Sequence, residues 1–458
     1  GDFSDLFDIN SRLIQLYDPF STRPNPSGSG WVRDPLPKNA IPTDRLDPVA
    51  LKLQDLLYPL PNRAPSDPFT NSNNYFNMQK IGKLMRSFSG KVDHRIADRN
   101  TLFGRFAYYE HRTDSANDDP GPWPNPLKSK RDDIARMFNF VINDAHTFSP
   151  TLISEFRGGL SGARFTYMPR SFGKNIPQMI GLPASHPQDL IPNLSNGLAG
   201  GFTQQRGYRH STAWNAQNIL TKIVGRHTLK MGAEYRLNLA FEDQRNPASG
   251  AFTFAAGLTG NPQTAQPGYS YATFLLGAVS QAELSSFVGS TLRGHSVSAF
   301  VQEDWRVTRR LTINLGVRYD FQQQPYEINL GASNFDPFSP DPVSGLMGRM
   351  VFGGADGHRG NFMREDYNDF APRVGIAYDL TGSGRTVLRG GYGLYYPYIF
   401  HRYSFPLRDG FLRTSTVYNP PGNNTNLPAF RFRDGLPYPN APPLGRNLGS
   451  NGRLGQTV

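Results

Sequence analysis

The chain has 458 residues, a formal charge of +11 and no cysteine, which excludes a disulfide scaffold and any thiolate metal site. Mean hydropathy is −0.50 and the longest apolar run is "FLLGAV" (274–279), so the roughly 20 apolar residues of a membrane helix are nowhere present. The basic residues are dispersed, without the dense block or binding module of a nucleic-acid-binding protein.

Residues 1–80 contain no good strand. Within them "DPVALKLQDLLYPLP" (47–61) reads as a short amphipathic helix. Asp47 suits the N-cap and Pro48 the first helical position. Leu46, Val49, Leu53, Leu56 and Leu57 form one apolar stripe, and Pro59 and Pro61 end the helix. The expected role is to pin down a large loop, with a moving gate as the alternative.

Five hairpins follow in chain order. They pair 87–95 with 101–110, 134–147 with 151–165, 211–223 with 227–239, 296–305 with 311–321, and 370–380 with 385–396. Each has a short turn, helped in places by glycine, as at Gly225 and in "TGSG". The connections between hairpins run from about 20 to about 55 residues and are rich in Pro, Gly, Asn and Asp. Loops of that length are uncommon in compact soluble domains. Short turns alternating with long loops are the pattern of an outer-membrane barrel. Parity assigns 251–292 to elaboration of a long loop or to one extra hairpin.

The strands alternate. In "LTINLGVRYDF" (311–321) Leu311, Ile313, Leu315, Val317 and Tyr319 share one face, while Arg318 and Asp320 share the other. The same separation sets Arg105, Glu155 with Arg157, Lys230 with Glu234 and Arg236, Arg373 and Arg389 opposite the apolar positions of their strands. An arginine turned to mid-bilayer lipid costs about 2–4 kcal/mol, so these ten residues are expected to line a hydrated lumen. Tyr108, Tyr109, Tyr235, Tyr319, Tyr392, Tyr395 and Tyr396 lie toward the long-loop ends and are expected to form an interfacial girdle. The fold class expected is all-β, a partial antiparallel transmembrane β-barrel of about ten or more long strands.

No HExxH, P-loop or G-x-S-x-G motif is present, and the histidines lack metal-ligand spacing. No catalytic residue, metal or cofactor is assigned. "EDWR" (303–306) is expected to form salt bridges at a barrel rim, and the glycines of "GGYGLYY" (390–396) suit close packing. The loop aromatics Trp123, Tyr398, Phe400, Tyr403 and Phe405 are candidates for ligand stacking or for loop-core packing.

Several longer stretches carry a resemblance: "GDFSDL", "LYDPFSTRPNP", "IPTDRLDPVALKL", "HTFSPTLISEFR", "GRHTLKMGAEYR", "FVQEDWRVTRRLTINLGVRYD" and "NDFAPRVGIAYD…GRTVLRGGYGLYY". Together they resemble TonB-dependent outer-membrane receptors of the Oar-like branch. The resemblance implies a barrel of about 22 strands with a plugged lumen. It implies the outer membrane of a Gram-negative bacterium, with membrane lipid and lipopolysaccharide as surroundings. It also implies uptake of a bulky ligand, powered by the TonB–ExbB–ExbD system through a plug and TonB box that these residues do not include. The expected organisation is an extracellular loop region with a helix at 1–80, a partial barrel at 81–396, and a long loop at 397–458, all within a longer protein. Two other readings fit the residues. A passive porin or adhesion barrel would lack the plug, and a soluble β-rich carbohydrate-binding protein would cover its apolar strand faces with protein.

Overall fold

The computed structural model describes residues 1–8, 10–66, 73–76, 81–115, 131–197, 205–264, 266–329, 332–342, 344–354, 360, 362, 364–397 and 413–440. Ten strands make one continuous antiparallel path: β1 (Ile81–Ala97), β2 (Asn100–Ser115), β3 (Arg131–Ser149), β4 (Leu152–Pro169), β5 (Arg206–Val224), β6 (His227–Arg245), β7 (Ser290–Arg306), β8 (Leu311–Gln322), β9 (Phe370–Asp379) and β10 (Val387–Gly393). Each strand hydrogen-bonds to the next in sequence, so the sheet is an up-and-down meander. β1 and β10 are its edges, and the barrel is not closed.

The expected hairpins are all present. Most strands run further than their alternation suggests, and the extra length lies at the long-loop end; β6, for example, continues to Arg245. At 16–19 residues, β2 to β6 are longer than the roughly 9–11 residues that cross the hydrocarbon. The surplus was invisible in the pattern because its residues do not keep the apolar–polar alternation of the strand middles. Ladder hydrogen bonds hold these extensions together irrespective of side chain.

The long connections do not wander separately. Residues before β1, parts of the β4–β5 and β6–β7 connections, and the segment 413–440 pack around one hydrophobic core. Its elements are α1 (Pro48–Leu57), α2 (Ile176–Ile180), α3 (Ser270–Leu275) and a small sheet ordering 413–418, 281–287, 251–253 and 193–195. Region 251–292 therefore elaborates this cap up to the start of β7, and supplies no extra hairpin to the main sheet. Asp47 caps α1 as expected, accepting from the Val49 and Ala50 amides at 2.9 and 3.2 Å. Val49, Ala50, Leu53 and Leu57 are buried against Leu16, Phe274, Leu276 and others of the core.

Candidate functional site

Register puts the ten charged residues on a single face. Glu155 and Arg157 lie opposite Ile219 and Gln217 of β5, and Gln217 lies opposite Glu234 of β6. Glu234 and Arg236 lie opposite Ser298 and Ser296 of β7, and Ser298 lies opposite Asp320. Lys230 connects through Gln302 and Gly316 to Arg373, and Arg389 shares that face through Ala377. Arg105 joins from the other side through Val141 and Gly159.

Several of these groups are tied into one network. Glu234 accepts from Asn215 Nδ2 at 2.8 Å and from Arg236 Nε at 2.5 Å. Arg318 donates to both carboxylate oxygens of Asp320 at 2.9 and 3.0 Å, to Ser298 Oγ at 2.6 Å, and lies 3.5 Å from Glu234. Arg373 stacks its guanidinium over Tyr395, 4.6 Å from the ring centre. All of these groups except Asn215, with Phe321, Gln322 and Tyr396, line a cleft of about 170 Å³. Asn215 and Ser298 were missed in sequence, since a lone amide or hydroxyl carries no signal beyond its position on the polar face. Phe300 breaks that face's polarity because it lies over Gly232 of β6.

The opposite face is apolar and uncovered. Leu315 is 44% exposed, Val317 47% and Val301 50%, while the side chains of Glu234 and Asp320 are only 12% and 14% exposed. Water would demand the reverse, since exposed contiguous apolar area marks a surface meant for another phase. The tyrosines divide between the faces. Tyr108, Tyr235, Tyr319 and Tyr392 fall on the apolar side, but Tyr109 pairs in register with Ser87 and Met137 on the polar side. Tyr395 likewise packs on Arg373. The girdle reading is corrected for Tyr109, because adjacent residues of a strand point to opposite faces, and for Tyr395 and Tyr396, which follow the end of β10 and line the polar cleft.

"EDWR" also splits by parity. Glu303 pairs with His227 across the apolar face at 2.5 Å, while Asp304 accepts from Asn314 at 2.5 Å and Gln302 at 3.3 Å on the polar face. Trp123, Tyr398, Phe400, Tyr403 and Phe405 lie outside the described residues.

Long-range polar contacts join the cap. Arg33 is buried and donates to the carbonyls of Gly257 (2.7 Å), Gly260 (2.9 Å) and Asn426 (2.5 Å), and to Thr22 Oγ1 (2.8 Å). Burial pulls its pKa down to about 10. Asp47, fully buried, also pairs with Arg433 at 3.2 Å. Gly277 has φ +65°, and a Cβ there would lie 2.3 Å from the Asp47 carboxylate, so only glycine fits. His186 is buried with one ring nitrogen 3.0 Å from the Ser249 carbonyl, and burial holds its pKa near 4.

Comparison with known proteins agrees with this inside-out sheet. A family model, the outer membrane beta barrel domain, matches residues 1–457. The chain belongs to that family. Its strands therefore belong to a barrel of the Gram-negative outer membrane. The TonB-dependent transporter Oar of Myxococcus xanthus is 26% identical over 254 residues, covering 52% of this barrel chain and 20% of that protein. The ferripyoverdine receptor of the Pseudomonas aeruginosa outer membrane superposes with a TM-score of 0.38 at 12% identity, over 66% of this chain and 34% of the receptor. The siderophore receptor PirA of Acinetobacter baumannii gives 0.30 at 11%, over 65% and 33%. The barrel chain thus spans about a third or less of the length of these relatives, which are transporters and receptors.

Proposed function

We propose that this chain is a section of a TonB-dependent outer-membrane transporter. Residues 81–396 supply part of the barrel wall, and the flanking segments 1–80 and 397–458 lie on the extracellular side. The ten charged residues from Arg105 to Arg389 line the lumen, where a bulky ligand passes. Energy comes from the TonB–ExbB–ExbD system, acting through a plug segment outside these residues. Lipid and lipopolysaccharide surround the wall. The observation that carries this reading is the exposure of Leu315 and Val317 beside the coverage of Glu234 and Asp320. Similarity to Oar supports the TonB coupling.

Two experiments test it. These 458 residues hold no cysteine, so single cysteines placed in them report cleanly once any cysteine elsewhere in the intact protein is replaced by serine. In the intact protein, Asn314→Cys should react with a membrane-impermeant maleimide. Bimane attached at Val317→Cys should be quenched by brominated lipid, and the converse labelling would reverse the assignment of faces. For transport, cells with and without the gene are given a labelled ferric siderophore, cobalamin, an oligosaccharide and an oligopeptide. Gene-dependent accumulation of one of them should stop when a protonophore de-energises the inner membrane. Accumulation that persists would identify a passive pore instead.

A further inference from the structure

Toward the long-loop end, the apolar face stops being apolar in a particular way. Register sets Arg86 of β1 opposite Glu110 of β2, Glu110 opposite Arg136 of β3, Arg136 opposite Arg164 of β4, and Arg164 opposite His210 of β5. One step nearer the middle of the strands, the same face carries the row Phe88, Tyr108, Phe138. Two residues along a strand amount to about 6.8 Å, so the charged row lies just beyond an aromatic row. One step further out Arg112 follows on the same face, 3.5 Å from Asp132, which also approaches Arg170 at 3.5 Å.

The charges in this row are unbalanced. Glu110 is taken up by Arg136 at 2.8 Å and by the Tyr108 hydroxyl at 3.0 Å. Arg164 is exposed and, among the described residues, pairs with no carboxylate; its two cross-strand neighbours are Arg136 and His210. Directly opposed like charges destabilise a sheet, because the side chains are only about 5 Å apart at Cβ. An anion lying over β3 and β4 removes that repulsion, and guanidinium groups match phosphate oxygens in pairs.

We propose that Arg136 and Arg164, with Arg86 at their flank, bind the phosphate groups of a glycolipid in the outer leaflet, its acyl chains lying along the aromatic and aliphatic positions below. The proposal rests on the membrane reading of the apolar face and adds a defined lipid site to it. Charge complementarity selects the occupant: a cationic row at headgroup depth, directly above a lipid-facing surface, suits an anionic lipid headgroup. Arg318 and Arg373, by contrast, are on the polar face, and Lys222 on the apolar face lies at the opposite, short-turn end of its strand.

The test uses the intact protein purified in detergent, with purified lipopolysaccharide and an enzymatically dephosphorylated preparation as probes. Wild type should retain the phosphorylated form at least about tenfold better. Arg136→Gln/Arg164→Gln should lose that preference, Arg164→Gln alone should lose part of it, and Arg95→Gln near the short turns should keep it. Equal binding of the two probes by wild type, or an unchanged preference in the double variant, overturns the site. The membrane reading is scored separately by heat-modifiable mobility and recovery in the outer-membrane fraction. A wild type that assembles there but does not discriminate phosphate removes the lipid site only. A wild type that never enters the membrane removes both.

Discussion

The sharpest consequence of the inside-out sheet is the contrast between Val317→Arg and Asn314→Arg, three residues apart on β8. Val317 points to the apolar side among Val301 and Pro372, its register partners on β7 and β9. It is the fourth of six outward positions from Leu311 to Phe321, and is 47% exposed with no acidic residue directly opposite it on either partner strand. A guanidinium there must be drawn into hydrocarbon or snorkel past Leu315 or Tyr319, at a cost of about 2–4 kcal/mol. Position 315 would be a weaker probe, since Glu303 lies opposite and could neutralise an introduced arginine. Asn314 faces the polar side and donates to Asp304, a partner that an arginine could keep. The expected change there is within about 0.5 kcal/mol. Urea titration of the intact protein folded into phospholipid vesicles, followed by heat-modifiable mobility, gives both values. Equal shifts for the two variants would refute the lipid-facing assignment of the Leu315 face.

The cap makes its own predictions. Asp47→Ala removes both the α1 cap and the partner of Arg433, and should destabilise the cap by about 3 kcal/mol, seen as faster proteolysis with sheet assembly intact; Asp47→Asn, which retains the capping oxygen, should cost less. His186 is held neutral, with its pKa depressed to about 4 from an ordinary 6.5. The unfolded cap therefore binds the extra proton first, and the stability due to this group is lost as pH falls from 6.5 toward 4, by about 3 kcal/mol in all. Amide exchange around Phe252, which stacks near His186, should rise over that window in wild type and rise less in His186→Phe. At Gly162 an added Cβ would stand 2.3 Å from the Phe138 ring, so Gly162→Val should displace that ring from the aromatic row and lower folding stability by about 1–2 kcal/mol in a urea titration, whereas the same change at Gly104, which has open space, should cost less.

Strand positions and facing were legible in the sequence because a period of two is a local property. Successive residues of a strand point to opposite faces, so Leu315 and Arg318 declare opposite sides of the sheet without any knowledge of their neighbours. α1 was equally legible, through Asp47, Pro48 and the leucine stripe. The tyrosine girdle was only partly so, because parity was neglected at Tyr109 and the strand ends at Gly393, before Tyr395 and Tyr396.

What lies across strands or between distant segments required the tertiary structure. The Glu234–Arg318–Asp320 network depends on how β6, β7 and β8 are aligned, and a shift of one residue would turn each of these side chains to the other face. The cap core joins Asp47 to Arg433 and Arg33 to Asn426, contacts separated by 386 and 393 positions, in segments whose composition reads as loop. The row from Arg86 to Arg164 is four scattered residues until register aligns them. Periodicity reports which solvent a side chain meets; only the fold reports which other side chain it meets there.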